Sequence, residues 1–239
     1  MNGFRNEWKY ICKESRFDVV KARLSHVLEA DIHGNKNGDY YVHSLYFDDL
    51  FFTGAYDNNA GSEERYKYRI RYYGNDPKGS PIMLERKEKR DNMCRKLSCN
   101  ITRSEFDILT GASGNVADLL YFTEKPLVRR FASEILAKGF APKAIVDYAR
   151  TAYTDPVTDV RVTFDKAICA AYDTDAFLGG DYMGIPLSLD GNGILEVKFT
   201  AILPDYIKNA VSDLSSRQDT FSKYYNAINI LEESSLWKH

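Results

Sequence analysis

Three times in this chain a glutamate stands two residues before a lysine within a segment that alternates like a β-strand: Glu7 with Lys9, Glu85 with Lys87, and Glu196 with Lys198. Residues two apart on a strand share a face, so each pair presents a carboxylate beside an ammonium. The run ERYKYRIRYY (64–73) puts Arg65, Lys67, Arg69 and Arg71 on one face, and Tyr66, Tyr68, Ile70 and Tyr72 on the other. Lys89, Arg150 and Arg161 continue the basic lines in other strand-like segments. Like charges repel along a strand face, and an ordinary surface mixes its signs. Arg and Lys grip phosphate oxygens, while single carboxylates hold a divalent metal that bridges them. The pattern therefore suits a polyanion taken together with a divalent metal. Any one E-x-K pair reads better as an ordinary solvated ion pair. Three of them beside the Arg/Lys run leave an excess of positive charge that ion pairing does not explain.

Elements must position these residues. Strands are predicted at 5–13, 40–49, 64–73, 82–90, 93–101, 143–153, 158–165 and 193–199. Helices are predicted at 15–30 (Phe17, Val20, Leu24, Val27, Leu28), at 104–110 capped by Thr102 or Ser104, at 116–138 with a break near Pro126, and at 204–212 and 220–235. HGNKNGD (33–39), NNAG (58–61) and GNDPKGSP (74–81) read as turns. The fold class is α+β and rich in antiparallel strands. If the strands close into a barrel, their polar faces line its interior, and about eight strands enclose room for one ligand. The helices at 15–30, 104–110 and 116–138 then cover the apolar outer faces. Residues 1–239 read as a single domain with a C-terminal helix from about 220.

Composition bounds the partners. Lys+Arg is 32 and Asp+Glu 34, a net charge of −2, which argues against a wholly basic surface for nucleic acid. KYRIRYYG lacks the Gly-aromatic order of an RNA-recognition strand. No stretch approaches the roughly 18 apolar residues of a membrane span, and the N-terminus carries no signal-peptide pattern. Cys12, Cys94, Cys99 and Cys169 form no CxxC pair, and with four His and no HxxxH a zinc site is not expected. The cysteines read as reduced and mostly buried, which predicts a cytoplasmic protein. Asp48-Asp49 reads as a cap of the following turn, and Asp165 as the partner of an interior Arg. His43 is expected on an outer, packing face.

R-x-E-x-K-Y (5–10), S-L-Y-F-D-D (44–49), K-Y-R-I-R-Y-Y-G (67–74), L-E-R-K (84–87), D-Y-x-R-T-A-Y (147–153), R-V-T-F-D (161–165), L-E-V-K (195–198) and S-K-Y (222–224) together resemble the VTC domain. This is the polyphosphate polymerase domain of the CYTH or triphosphate tunnel metalloenzyme group. The resemblance runs from about residue 5 to 225, in family order. It implies a closed antiparallel barrel, a tunnel, with a basic lining and outer helices. It implies transfer of the terminal phosphate of ATP to a growing polyphosphate chain, with ADP released and a divalent metal, Mn or Mg, as cofactor. By resemblance Lys9, Arg69, Arg71, Lys87, Arg150 and Arg161 are the catalytic phosphate-binding residues, and Glu196 is the metal-binding glutamate, joined by Glu7 or Glu85. Lys96, Tyr148, Ser222 and Lys223 are further phosphate contacts, and Lys67, Lys89 and Lys198 complete the substrate-binding set.

The wider group carries E-x-E-x-K at its first strand. Arg5 stands in for the first Glu here, as in the VTC branch, which argues against a typical triphosphatase. Partners are ATP and polyphosphate, with no nucleic acid and no membrane span; docking on a separate membrane protein stays open. Two other readings remain beside the polymerase: a non-catalytic binding module for polyphosphate or nucleotides, and a tripolyphosphatase. No general base is required if the acceptor is an anionic phosphate. The net charge averages over a basic channel and, by subtraction, an acidic exterior. Arg69→Ala or Glu196→Gln is expected to abolish activity while leaving thermal stability unchanged or raised, because interior repulsion falls.

Overall fold

The computed structural model describes residues 3–31, 38–57, 64–90, 93–187, 191–212 and 220–236. The NNAG turn and residues 33–37 of HGNKNGD lie outside them. Among the described residues there are ten strands: β1 Arg5–Lys13, β2 Glu29–Ala30, β3 Asp39–Asp48, β4 Glu64–Tyr73, β5 Ile82–Arg90, β6 Met93–Ile101, β7 Ala141–Thr154, β8 Arg161–Ala171, β9 Ile185–Pro186 and β10 Asn192–Phe199. They pair in the order β2-β7-β3-β4-β5-β6-β1-β10-β8-β9, and β7 also pairs with β8. That last pairing closes a ring of eight antiparallel strands, with β2 and β9 as short additions. Closure removes the exposed edges that an open sheet would carry.

Seven α-helices accompany the barrel among the described residues: α1 Phe17–Leu24, α2 Thr53–Tyr56, α3 Arg103–Thr110, α4 Leu119–Phe122, α5 Pro126–Lys138, α6 Asp205–Ser212 and α7 Lys223–Leu236. Two apolar layers form outside the ring. Tyr10, Val162, Phe164, Leu195 and Val197 pack under α1 and α6. Leu45, Tyr68, Ile70, Tyr72 and Leu84 pack under α3, α4 and α5, with Tyr68 stacked on Phe131 at 4.2 Å between centroids. A third layer lies inside. Val42, Tyr46, Val146, Ile168 and Ala170 face inward and receive Tyr224, Ala227, Ile228 and Leu231 of α7. The C-terminal helix thus fills part of the interior, and polar side chains line the remainder.

Local chemistry explains most boundaries. Thr102 caps α3 through a full capping box with Glu105, and Pro126 opens α5 at its first turn. Asp49 Oδ1 accepts the Phe51 and Thr53 amides, and Asp48 accepts those of Gly54 and Ala55, so the pair caps α2. Two boundaries differ by more than a turn of chain from those predicted. The helix expected over 15–30 is a 3-10 turn followed by α1, which ends at Leu24, because the chain turns there to lay β2 against β7. The strand expected to end at 165 continues to Ala171. The positive φ of 51° at Ala167 marks an extra residue in β8, where its register with β7 shifts. Arg161, Thr163 and Asp165 face inward before it, and Ile168 and Ala170 after it, so the alternation changes phase and the sequence pattern is lost. No described helix is long and apolar enough to cross a membrane.

Candidate active site

The polar remainder of the interior is a cavity of about 680 Å³ lined from every side of the ring. β4 contributes Arg65, Lys67, Arg69 and Arg71, and β5 contributes Lys87 and Lys89. Lys96 enters from β6, Lys9 and Glu7 from β1, and Glu196 and Lys198 from β10. Tyr148 and Arg150 of β7, Arg161 of β8, and Ser222 and Lys223 at the start of α7 complete it. Every basic residue singled out in the sequence lies on this lining. Glu7 and Glu196 are among its surfaces, and Glu85 sits just beneath, fully buried.

The carboxylates divide the cations into groups. Glu7 and Glu196 form one centre. Glu7 accepts Lys87 Nζ at 2.8 and 2.9 Å and lies 3.0 Å from Lys9; Glu196 lies 2.6 Å from Lys198 and 3.9 Å from Lys9. Lys9 also donates to the Phe221 carbonyl at 2.9 Å. Glu85 holds a second group. Arg69 grips one oxygen through Nε and Nη2, both at 2.7 Å, and Lys96 takes the other at 2.8 Å. Arg71 stands 3.7 Å off and spends its donors on Ser44, Tyr73 and Tyr148. Asp165 makes the third, bidentate to Arg150 at 2.6 and 2.8 Å with Lys223 at 2.6 Å. Arg161 reaches Asp31 at 2.5 Å and the Tyr40 hydroxyl at 3.1 Å.

These contacts set the ionisation. Burial pushes Glu7 up, but Lys87, Lys9 and Lys198 outweigh it and hold the carboxyl well below its ordinary value. Burial of Glu85 is likewise overcome by Arg69, Arg71 and Lys96, and burial of Asp165 by Arg150 and Lys223. For Glu196, burial and the Glu7 charge both oppose ionisation, yet Lys198, Lys9 and Lys87 bring it down to about 2. Carboxylates depressed in this way stabilise the fold above their unfolded values near 4, and that stability is lost as pH falls through the folded values. Stability followed by urea unfolding is therefore expected to be flat from neutrality to about pH 5 and to drop steeply between about pH 4 and 2. A flat profile through that window would remove the ion-pair groups from the account.

A divalent metal needs hard oxygen donors that substrate oxygens can complete. Glu7 and Glu196 fit: they are adjacent, share Lys9 and Lys198, and face the cavity. Glu85 does not join them, since Arg69 and Lys96 occupy its two oxygens on the other group. No group of three His, Cys, Asp or Glu suited to a metal exists among the described residues, so phosphate oxygens and water would supply the other positions.

Several site residues carried no signal in the sequence. Tyr46 takes the third Arg69 donor at 3.0 Å, and Arg69 and Arg71 outweigh burial to lower its hydroxyl from the ordinary value. Asp31 is a second example. Tyr46 alternates with Val42, Ser44 and Asp48, and the one charge on that face reads as a turn cap. His43 lies outside the barrel, stacked on Tyr72 at 4.5 Å and 3.0 Å from Asp147. Only Cys12 of the four free cysteines is buried; the other three are half-buried, fewer than expected.

The family model described as VTC domain matches residues 4–232. No curated protein matches the chain. Among solved structures it is similar to a candidate adenylate cyclase from Bacillus halodurans, at 13% identity and a TM-score of 0.49, covering 93% of this chain and 96% of that one. It is also similar to a candidate adenylyl cyclase from Hippeastrum with a dominant triphosphatase activity, at 15% identity and a TM-score of 0.48, covering 87% and 85%. The PH1012 protein from Pyrococcus horikoshii is similar at 14% identity and a TM-score of 0.43, covering 92% and 96%.

Proposed function

The chain belongs to the VTC domain family, and on that footing we propose that it is an ATP-dependent polyphosphate polymerase of the cytoplasm. The observation that carries this reading is the cavity itself: a buried lining in which Lys and Arg from β1, β4, β5, β6, β7, β8, β10 and α7 outnumber the carboxylates they surround. A linear polyanion answers that excess along its whole length. A compact anion would reach only one of the three carboxylate-centred groups.

Phosphoryl transfer asks the protein mainly for positioning and charge stabilisation. Arg69, Arg71 and Arg150 are already oriented by carboxylates and tyrosines, so their outward donors are preorganised for equatorial phosphate oxygens. Lys9, Lys87 and Lys198 supply mobile point charge. Ser222 and Lys223, at the first turn of α7, add a donor and a cation where the helix dipole favours an anion. When bound between Glu7 and Glu196, Mn or Mg would neutralise charge developing on the phosphate oxygens. The acceptor, an anionic phosphate, needs no base.

Incubation with ATP and manganese is expected to yield ADP and acid-insoluble polyphosphate in step, and both binding and turnover should weaken as salt rises. Orthophosphate without polymer would identify a tripolyphosphatase. Tight triphosphate binding without either product would identify a binding module.

A further inference from the structure

Three lysines stand side by side across β4, β5 and β6: Lys67 opposite Lys87, and Lys87 opposite Lys96. All three line the cavity. Directly opposed like charges destabilise a strand pair, and the structure relieves them unequally. Lys87 is held by both oxygens of Glu7, and Lys96 by Glu85. Lys67 meets the Ser222 hydroxyl at 3.1 Å and the face of the Tyr224 ring at 5.3 Å. Among the described residues it forms no ion pair with a carboxylate.

The groups facing it are mostly of its own sign. β5 presents Lys87, β1 Lys9, and β4 itself Arg65. β3 presents Asp48, whose oxygens are already engaged by the Asp49, Gly54 and Ala55 amides and the Tyr224 hydroxyl. Ser222, just before α7, and Tyr224 of α7 meet it with a hydroxyl and a ring face. Burial, followed by Lys87, Lys9 and Arg65, brings the ammonium down to about 7, with Asp48 opposing weakly. Arginines elsewhere on the lining cannot lose their protons, and Lys87 and Lys223 are pulled the other way, Glu7 and Asp165 outweighing the effect of burial. Lys89 is lowered too, by burial and then Arg65, but it does not stand in the row of three opposed lysines.

We infer that Lys67, opposed by lysines and met by no carboxylate among the described residues, takes up a proton when a phosphate chain binds, so that this residue couples polyanion binding to pH. The coupling rests on the phosphate-chain reading above. Anionic oxygens replace a surrounding of cations, which raises the preference of the amine for its charged form. Binding is then strongest at lower pH. It weakens as pH rises through the ligand-free value, by about tenfold per unit until the bound value is reached. Such a link would make the tunnel hold its chain less tightly in a more alkaline compartment.

Calorimetry with inorganic tripolyphosphate at about pH 8, in two buffers of different ionisation enthalpy, reads the proton directly. Wild type is expected to take up about one proton more than Lys67→Arg, whose guanidinium stays charged; protons carried by the ligand cancel in the difference. Lys67→Gln serves the same comparison if arginine disturbs Ser222. Heteronuclear NMR of the ligand-free protein is expected to give one lysine signal titrating near 7, absent from the variant. Equal proton uptake by wild type and variant, or no lysine titrating below about pH 9, overturns the coupling. Failure of wild type to bind tripolyphosphate overturns the phosphate-chain reading and the coupling with it. Binding with no difference in protons overturns the coupling alone.

Discussion

Arg69→Ala is expected to remove turnover and to cost about 3–5 kcal/mol of stability. The second effect reverses what the charged strand face predicts by itself, namely relief of repulsion and an unchanged or higher Tm. Geometry is the reason. Glu85 is fully buried and receives two Arg69 donors at 2.7 Å. Taking away the guanidinium leaves a buried carboxylate with Lys96 at 2.8 Å and Arg71 at 3.7 Å, and frees the Tyr46 hydroxyl as well. An uncompensated buried charge is far costlier than a missing pair. Arg69→Met combined with Glu85→Met should therefore recover much of the lost stability and none of the activity. Urea unfolding of the two single variants and the double variant, beside ADP release, measures both halves. A single Arg69→Ala variant within about 0.5 kcal/mol of wild type would mean that Arg71 and Lys96 alone hold Glu85.

Glu196→Gln is expected to lower kcat by on the order of a hundred- to a thousandfold and to raise the metal concentration needed for half activity. The side chain keeps its shape and loses the charge that Lys198 and Lys9 stabilise, so Tm should fall modestly rather than rise. Here too the carboxylate is a partner in the lining and not a source of strain, as its low ionisation value of about 2 requires. Glu7→Gln should shift the metal requirement in the same direction. Glu85→Gln should leave it unmoved, because that oxygen pair belongs to Arg69 and Lys96. Wild-type turnover by Glu196→Gln would remove this carboxylate from the reaction.

The strand faces were legible because alternation and charge coincide on them. Arg65 to Arg71, Glu85 to Lys89, Glu7 with Lys9, and Glu196 with Lys198 all face inward as their spacing requires. Closure of the ring follows from the same reading, since basic faces on so many strands can share one interior. What escaped was set by chain neighbours far apart in sequence. Whether Glu196 is joined by Glu7 or Glu85 depends on β1 lying between β6 and β10, which alternation cannot reveal. The inward hydroxyl of Tyr46 looks like ordinary core until Arg69 is found beside it. The excess of positive charge also needed correcting in kind: much of it is organised around Glu7, Glu85, Asp165 and Glu196, and the unrelieved part gathers where Lys67 stands. α7 read only as a C-terminal helix; that it lies inside the barrel follows from the apolar inward faces of β3, β7 and β8.

The extra residue at Ala167 has a role in measurement. Along β8 the wall of the chamber is polar through Asp165, and from Ile168 onward it is a dry seat for the C-terminal helix. One strand thus serves two solvents, and the border between them is drawn by counting residues. Move the phase change by two positions and the chamber gains or loses one rung of side chains, roughly 6–7 Å of strand. The length of the polar chamber along this wall is in this sense ruled off by a single amino acid.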